Sequence, residues 1–343
     1  MLIVYPFSFI FLRFTVVRRL LAVSRGHVLG VWVGIEINTL RFIALRIQNH
    51  SLKQVERCLK YFLIQSLGSG LWLLGSFLYY TVEGGWFWFG GGVFTRLAVI
   101  IVGLLLKLGV APLFFWVPRV IRYINWIRCC ILATWQKIIP LFIVSEFIWF
   151  EWCKIIVMFG VVRAVVGGIG GLNQLNLRVL MAYSSIGHVG WIISIIFFSR
   201  TGGIIYFLSY FITRLRVFCY LWFLDYITFS RLIGWRVFGV RFEAALGISL
   251  LSLAGIPPFT GFVGKWVGVL MLSNGGIFLA VRGLLIGSLI NLYYYLIVLR
   301  NLVVWGGVWR SCTNYEIESR VYSYILGIML IFRIRGLVLI CWV

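Results

Sequence analysis

Five side chains in this sequence could hold or pass a proton inside stretches otherwise too apolar for charge. Glu36 stands between Ile35 and Ile37, Lys107 between Leu106 and Leu108, Lys137 between Gln136 and Ile138, and Lys265 between Gly264 and Trp266. His188 lies in the run from Met181 to Trp191. Ionisable groups at bilayer depth are rare and costly, so each is a functional candidate by default. An amine and a carboxylate within coulombic reach form a pair whose proton occupancy depends on their separation. Moving Glu36 relative to Lys107 would therefore act as a switch.

Each candidate also has a plainer reading. A lone lysine in a span can snorkel to the headgroups or sit in a static pair. The Pro-broken context and the available glutamate favour function at Lys107. Composition alone does not decide Lys265, which can lie at a span end. On bare sequence His188 is equally a helix-packing hydrogen bonder, and Ser184 and Ser185 read as helix–helix contacts.

The elements that must position these residues are membrane helices. The chain has 343 residues, 62% hydrophobic and only 12% charged, too few charges to cover a soluble surface. Residues 61–82, 179–199 and 244–264 carry no Asp, Glu, Lys or Arg. Each is about 21 residues, enough to cross a hydrocarbon core of ~30 Å as a helix. A transmembrane β-barrel would need alternation, and the run from Leu97 to Leu106 does not alternate. The expectation is an all-α polytopic membrane protein of about eleven spans, centred near residues 12, 37, 71, 101, 137, 161, 189, 213, 250, 287 and 331. Residues 2–23 read as a first span rather than a signal peptide. Residues 1–343 read as a single membrane domain.

Two segments are interrupted alike. One runs from Leu104 through Lys107, Gly109 and Pro112 to Pro118. The other runs from Leu253 through Gly255, Pro257 and Pro258 to Lys265 and Trp266. Proline removes a backbone donor and clashes with the preceding turn. Such breaks are tolerated in a bilayer only where protein or a wet cavity satisfies the freed groups. A matched pair in two parts of a chain points to a transporter built from repeats. The seven cysteines include the adjacent Cys129 and Cys130 but no CxxC, so neither a metal site nor a disulfide framework is expected.

At these residues the chain resembles the antiporter-like membrane subunits of animal mitochondrial NADH:ubiquinone oxidoreductase, respiratory complex I. The most specific block is Gly171 to Gln174 with Arg178 and Met181 to Trp191. Leu106 to Pro112 with Phe115 to Pro118, Thr134 to Lys137, Ser252 to Pro258 with Lys265–Trp266, and Asn291 to Tyr295 support it in order.

The resemblance implies a proton-translocating subunit with two inverted repeats and two broken helices. Its antiporter-like core would cover residues 24–285, followed by C-terminal transmembrane helices over residues 286–343. It implies that Glu36 is the glutamate partner and Lys107 the broken-helix lysine. Lys137 and His188 would lie on the central relay, and Lys265 in the second half-channel. NADH, FMN, iron–sulfur clusters and ubiquinone would be bound by other subunits, leaving this chain without cofactor or metal. Expected partners are the other membrane-arm subunits and lipid, in the mitochondrial inner membrane. The family pattern's histidine before Phe115 is Phe114 here, and its acid after Pro118 is Arg119. A stand-alone cation/proton antiporter is the alternative.

The formal charge of +22, with 25 arginines, 6 lysines and nine acids, would suggest nucleic-acid binding in a soluble chain. Here the arginines, including Arg41, Arg46, Arg163, Arg214 and Arg282, are scattered through apolar runs and form no patch, so no nucleic acid is expected. A helix-centre arginine costs ~2.5–3.5 kcal/mol on insertion scales. Most invertebrate mitochondria read the codons AGA and AGG as serine, where the standard code gives arginine. Many of these arginines are therefore expected to be serine in the native protein, and AUA read as isoleucine would similarly leave only five methionines.

Overall fold

The computed structural model describes residues 28–46, 52–83, 94–110, 112–146, 153–224, 239–257 and 259–308. Apart from short connections, these residues are helical, so the all-α expectation holds for them. The spans expected near residues 12 and 331 lie outside the described residues.

The chain divides into two compact units. One comprises residues 1–128 and 135–150, the other residues 129–134 and 151–343. The first holds α1 (Val28–Arg46), α2 (Leu52–Glu83), α3 (Phe94–Leu108), the short α4 (Trp116–Ile121), a 3₁₀ turn (Trp135–Lys137) and α6 (Ile138–Glu146). Helix α5 (Trp126–Ala133) ends among residues grouped with the second unit. That unit continues with α7 (Cys153–Gly171), α8 (Leu177–Ile196), α9 (Arg200–Leu224), α10 (Gly239–Ala254), α11 (Thr260–Asn274) and α12 (Phe278–Val308).

Among the described residues, five stretches are long and apolar enough to cross a membrane: Val55–Thr81, Trp126–Ser145, Leu177–Ile196, Arg200–Phe223 and Phe278–Leu302. Leu29–Leu40, Ala98–Leu108, Ile155–Gly171 and Ala244–Ala254 are shorter apolar helices. Helix α11 has no counterpart among the expected centres. The charge-free run over residues 244–264 covers most of α10 and the start of α11, so composition marks no boundary between them.

Inside hydrocarbon, helices associate through close packing, and small residues let backbones approach. In the first unit α2 and α3 close on one another where a Cβ at Gly103 would fall 2.8 Å from the Gly68 carbonyl oxygen. In the second, α7 and α8 meet where a Cβ on Gly190 would lie 2.5 Å from the Gly160 carbonyl oxygen. Helix α8 is the core of that unit, buried from Leu177 to Ile196 except at Arg178 and Tyr183.

Candidate functional site

Helix α3 stops for a local reason. Gly109 adopts φ +67°, a left-handed conformation that only glycine takes without strain. Its N–H donates to the Leu106 carbonyl at 3.0 Å, and the Val110 N–H donates to the Leu105 carbonyl at 2.9 Å. This paired closure is a Schellman cap. Chain returning through α4 presses on it, since a Cβ at Gly109 would sit 2.7 Å from Val117 Cγ2.

The cap leaves Lys107 in the last turn of α3, at the negative end of the helix dipole. Its stem crosses Gly68 of α2, where a Cβ would fall 2.8 Å from Lys107 Cγ. Lys107 is 6% exposed, and its Nζ has no hydrogen-bond partner among the described residues. The Glu36 carboxylate of α1 lies within coulombic reach of it.

Glu36 is half-buried. The Thr39 hydroxyl donates to the Glu36 carbonyl at 2.7 Å and lies 3.4 Å from its Oε2. Phe42 of α1 meets Tyr61 of α2 edge-on at 5.6 Å, and Tyr61 meets Trp116 of α4 at 5.7 Å. These rings tie the glutamate's helix to the segment beyond the break. Two residues past Glu36, Asn38 Nδ2 donates to Gln136 Oε1 at 2.7 Å. Gln136 belongs to the 3₁₀ turn that ends on Lys137, itself 6% exposed.

Helix α10 in the second unit closes by the same device. Gly255 has φ +75°. Its N–H donates to the Ser252 carbonyl at 3.1 Å, and the Ile256 N–H to the Leu251 carbonyl at 3.4 Å. The lysine here, however, comes from the following helix. Lys265 of α11 turns back, and its Nζ donates to the Ala254 carbonyl at 2.5 Å. A Cβ on Gly255 would lie 2.7–2.9 Å from Lys265 Cδ, Cε and Nζ.

His188 of α8 is 7% exposed. Its Nδ1 is 3.1 Å from the Tyr206 hydroxyl of α9, and its ring lies 5.1 Å from that of Tyr210. Ser184 and Ser185 bond back to the Met181 and Ala182 carbonyls of their own helix. Ser184 also accepts from Arg214 of α9 at 2.6 Å.

The structure thus brings Glu36 within electrostatic reach of Lys107, ties Glu36's helix to the turn bearing Lys137, and gives His188 and Lys265 partners of their own. Sequence reasoning missed Gly68, the Asn38–Gln136 bond and Tyr206. Asn38 and Gln136 were visible as amides beside the candidate charges. Tyr206 was one tyrosine among several in an aromatic helix, and nothing local marked it. Among the described residues no three His, Cys, Asp or Glu side chains are placed to hold a metal ion.

Known proteins resemble this chain over nearly its whole length. The family described as NADH:quinone oxidoreductase/Mrp antiporter matches residues 26–291. NADH-ubiquinone oxidoreductase chain 2 of Polypterus ornatipinnis is 34% identical over 320 residues, 92% of each chain. That of Branchiostoma lanceolatum is 33% identical over 325 residues, again 92% of each. A chain of respiratory complex I from Thermus thermophilus superposes with a TM-score of 0.78 at 23% identity, covering 92% of this chain and 74% of that one. A chain of the archaeal membrane-bound sulfane sulfur reductase gives 0.83 at 20%, covering 92% and 70%. One of the Mrp complex from Dietzia gives 0.74 at 20%, covering 81% and 57%. The structural likenesses show a shared antiporter-like fold.

Proposed function

The chain belongs to the NADH-ubiquinone oxidoreductase chain 2 proteins, within the NADH:quinone oxidoreductase/Mrp antiporter family, and from that premise we propose that Glu36, Lys107, Lys137, His188 and Lys265 form its proton-transfer line. It is a multi-pass membrane subunit of respiratory complex I. It lies in the mitochondrial inner membrane beside other membrane-arm subunits and lipid. About eleven helices cross the bilayer. Residues 24–285 form the antiporter-like core of two inverted repeats, each with one broken helix, and residues 286–343 add C-terminal helices. Electron transfer through NADH, FMN, iron–sulfur clusters and ubiquinone takes place in other subunits and drives protons through this one.

The observation that carries the reading is the Lys107 ammonium at the capped break of α3. It is buried, lacks a hydrogen-bond partner among the described residues and has Glu36 within coulombic reach. A static structural lysine would be closed by hydrogen bonds or reach water, because an unsatisfied buried charge is strongly destabilising. A lysine that must exchange its proton instead needs a weak, adjustable partner. Motion of α1 changes the Glu36–Lys107 separation and hence the proton occupancy of the pair.

Lys107→Met in the assembled complex tests this. The expected result is loss of coupled proton pumping in a complex that still assembles, and unchanged pumping would overturn the reading. The matching family takes in Mrp antiporters as well as NADH:quinone oxidoreductase subunits, which keeps one second reading, a stand-alone cation/proton antiporter. Purification separates the two, because a lone antiporter stays intact and active outside a large assembly.

A further inference from the structure

We propose that Tyr206 is a positioning residue for proton transfer at His188, holding the imidazole Nδ1 through its hydroxyl in both charge states of the ring. The proposal rests on the reading of His188 as part of the proton line.

The chemistry of the pair suits that task. A phenolic hydroxyl can donate to a bare ring nitrogen or accept from a protonated one. At 3.1 Å the Tyr206 oxygen and His188 Nδ1 can bond either way by rotation of one O–H. His188 can then gain or lose a proton without leaving Nδ1 unpaired in the membrane interior, where an unpaired polar group is costly. Tyr210, whose ring is also against His188, has its hydroxyl directed to the Ala133 carbonyl at 2.9 Å. The contact at Nδ1 is made by Tyr206.

The phenol is held so that it can orient its neighbour. Tyr206 is 2% exposed. Its ring stacks on Trp191 of α8 with centroids 6.1 Å apart and planes at 13°. Its other flank meets α11 at Gly264, where a Cβ would come within 3.1 Å of Tyr206 Cδ2 and 2.6 Å of Ser209 Oγ. A turn further along α11, a Cβ at Gly268 would approach Trp191 Cε3 at 3.3 Å. The bare glycine face of α11 thus lies along the Trp191–Tyr206 stack. Gly264 immediately precedes Lys265. A shift of the helix that carries Lys265 is therefore felt by the residue that aims His188.

The test compares three variants in the assembled complex: Tyr206→Phe, His188→Ala and the double substitution. Protons translocated per NADH oxidised and NADH:ubiquinone turnover are measured for each. Phenylalanine keeps the ring between Trp191 and Gly264 and removes only the hydroxyl. Tyr206→Phe is expected to lower the coupled rate about fivefold, the size of one net hydrogen bond. In the His188→Ala background it should cause no further loss, a non-additivity that a merely structural tyrosine would not show. Wild-type pumping in Tyr206→Phe, losses that multiply in the double variant, or failure of Tyr206→Phe to assemble would each overturn the proposal. Wild-type pumping in His188→Ala would instead remove His188 from the proton line, and Tyr206's role with it.

Discussion

Lys265 Nζ donates to the Ala254 carbonyl at 2.5 Å, so the lysine of the second break caps the helix that precedes its own. A cation at a helix C-terminus is favoured by the dipole, and its hydrogen bond satisfies one of the open carbonyls. Lys107 stands differently, inside the last turn of the helix that breaks. Both lysines cross a glycine on their way to the break.

Gly255→Ala is expected to displace Lys265 as well as strain the turn. The φ of +75° alone costs roughly 1–2 kcal/mol in a non-glycine residue, and the new Cβ would collide with Lys265 Cδ, Cε and Nζ. Gly276→Ala is the control, because φ there is +73° but no atom lies within 4 Å of an added Cβ. Both variants should lower the thermal stability of the complex, Gly255→Ala by more because of the collision. Only Gly255→Ala should depress coupled pumping, and equal pumping in the two would sink the argument.

Gly68→Ala is expected to push the Lys107 stem off its path. An added Cβ would come within 2.8 Å of Lys107 Cγ and 3.1 Å of the Gly103 carbonyl oxygen. Overpacking of this kind typically costs about 1–3 kcal/mol. Gly70→Ala, two residues along the same helix and with nothing within 4 Å of its Cβ, should leave stability and pumping at wild-type values. Parallel measurement of melting and proton translocation in the two variants separates a clearance at Lys107 from a general intolerance of α2 to side chains.

The breaks themselves were legible because their causes are local. A glycine in left-handed φ and a following proline act within a few residues, so Gly109 and Gly255 announced where α3 and α10 would end. The lysines were legible because a charge in an apolar run stands out whatever it touches. What lay hidden was every relationship that needs two distant segments. Gly68 reads as an ordinary helix glycine until α3 is laid across it. Lys265 reads as a span-end residue until its contact with the Ala254 carbonyl at the Gly255 turn is seen. Tyr206 acquires meaning only beside His188, eighteen positions earlier.

The Asn38–Gln136 bond should fix α1 against the turn bearing Lys137. Asn38→Leu and Gln136→Leu are each expected to destabilise the subunit. The pair should show a coupling on the order of 1 kcal/mol in a double-mutant cycle, as for one net hydrogen bond. Chemical denaturation of the four forms would measure it. Additive effects would mean that the 2.7 Å contact contributes no interaction free energy of its own.

Arg214 is expected to be serine in the native protein. It is fully buried on α9. Its guanidinium meets the Ser184 hydroxyl at 2.6 Å, the Met181 sulfur at 3.3 Å and the faces of Tyr210 and Phe218 at 5.3 and 5.7 Å. All four partners are neutral, and the ion pair between described residues is Lys60 with Glu56. A serine there would bond back to its own helix, as Thr213 does to the Ser209 carbonyl at 2.9 Å. That geometry costs little, whereas a helix-centre arginine costs ~2.5–3.5 kcal/mol on insertion scales. Tryptic mapping of the native protein by mass spectrometry decides the matter. A peptide running uncut through position 214 with the mass of serine is expected, and cleavage after Arg214 would establish arginine.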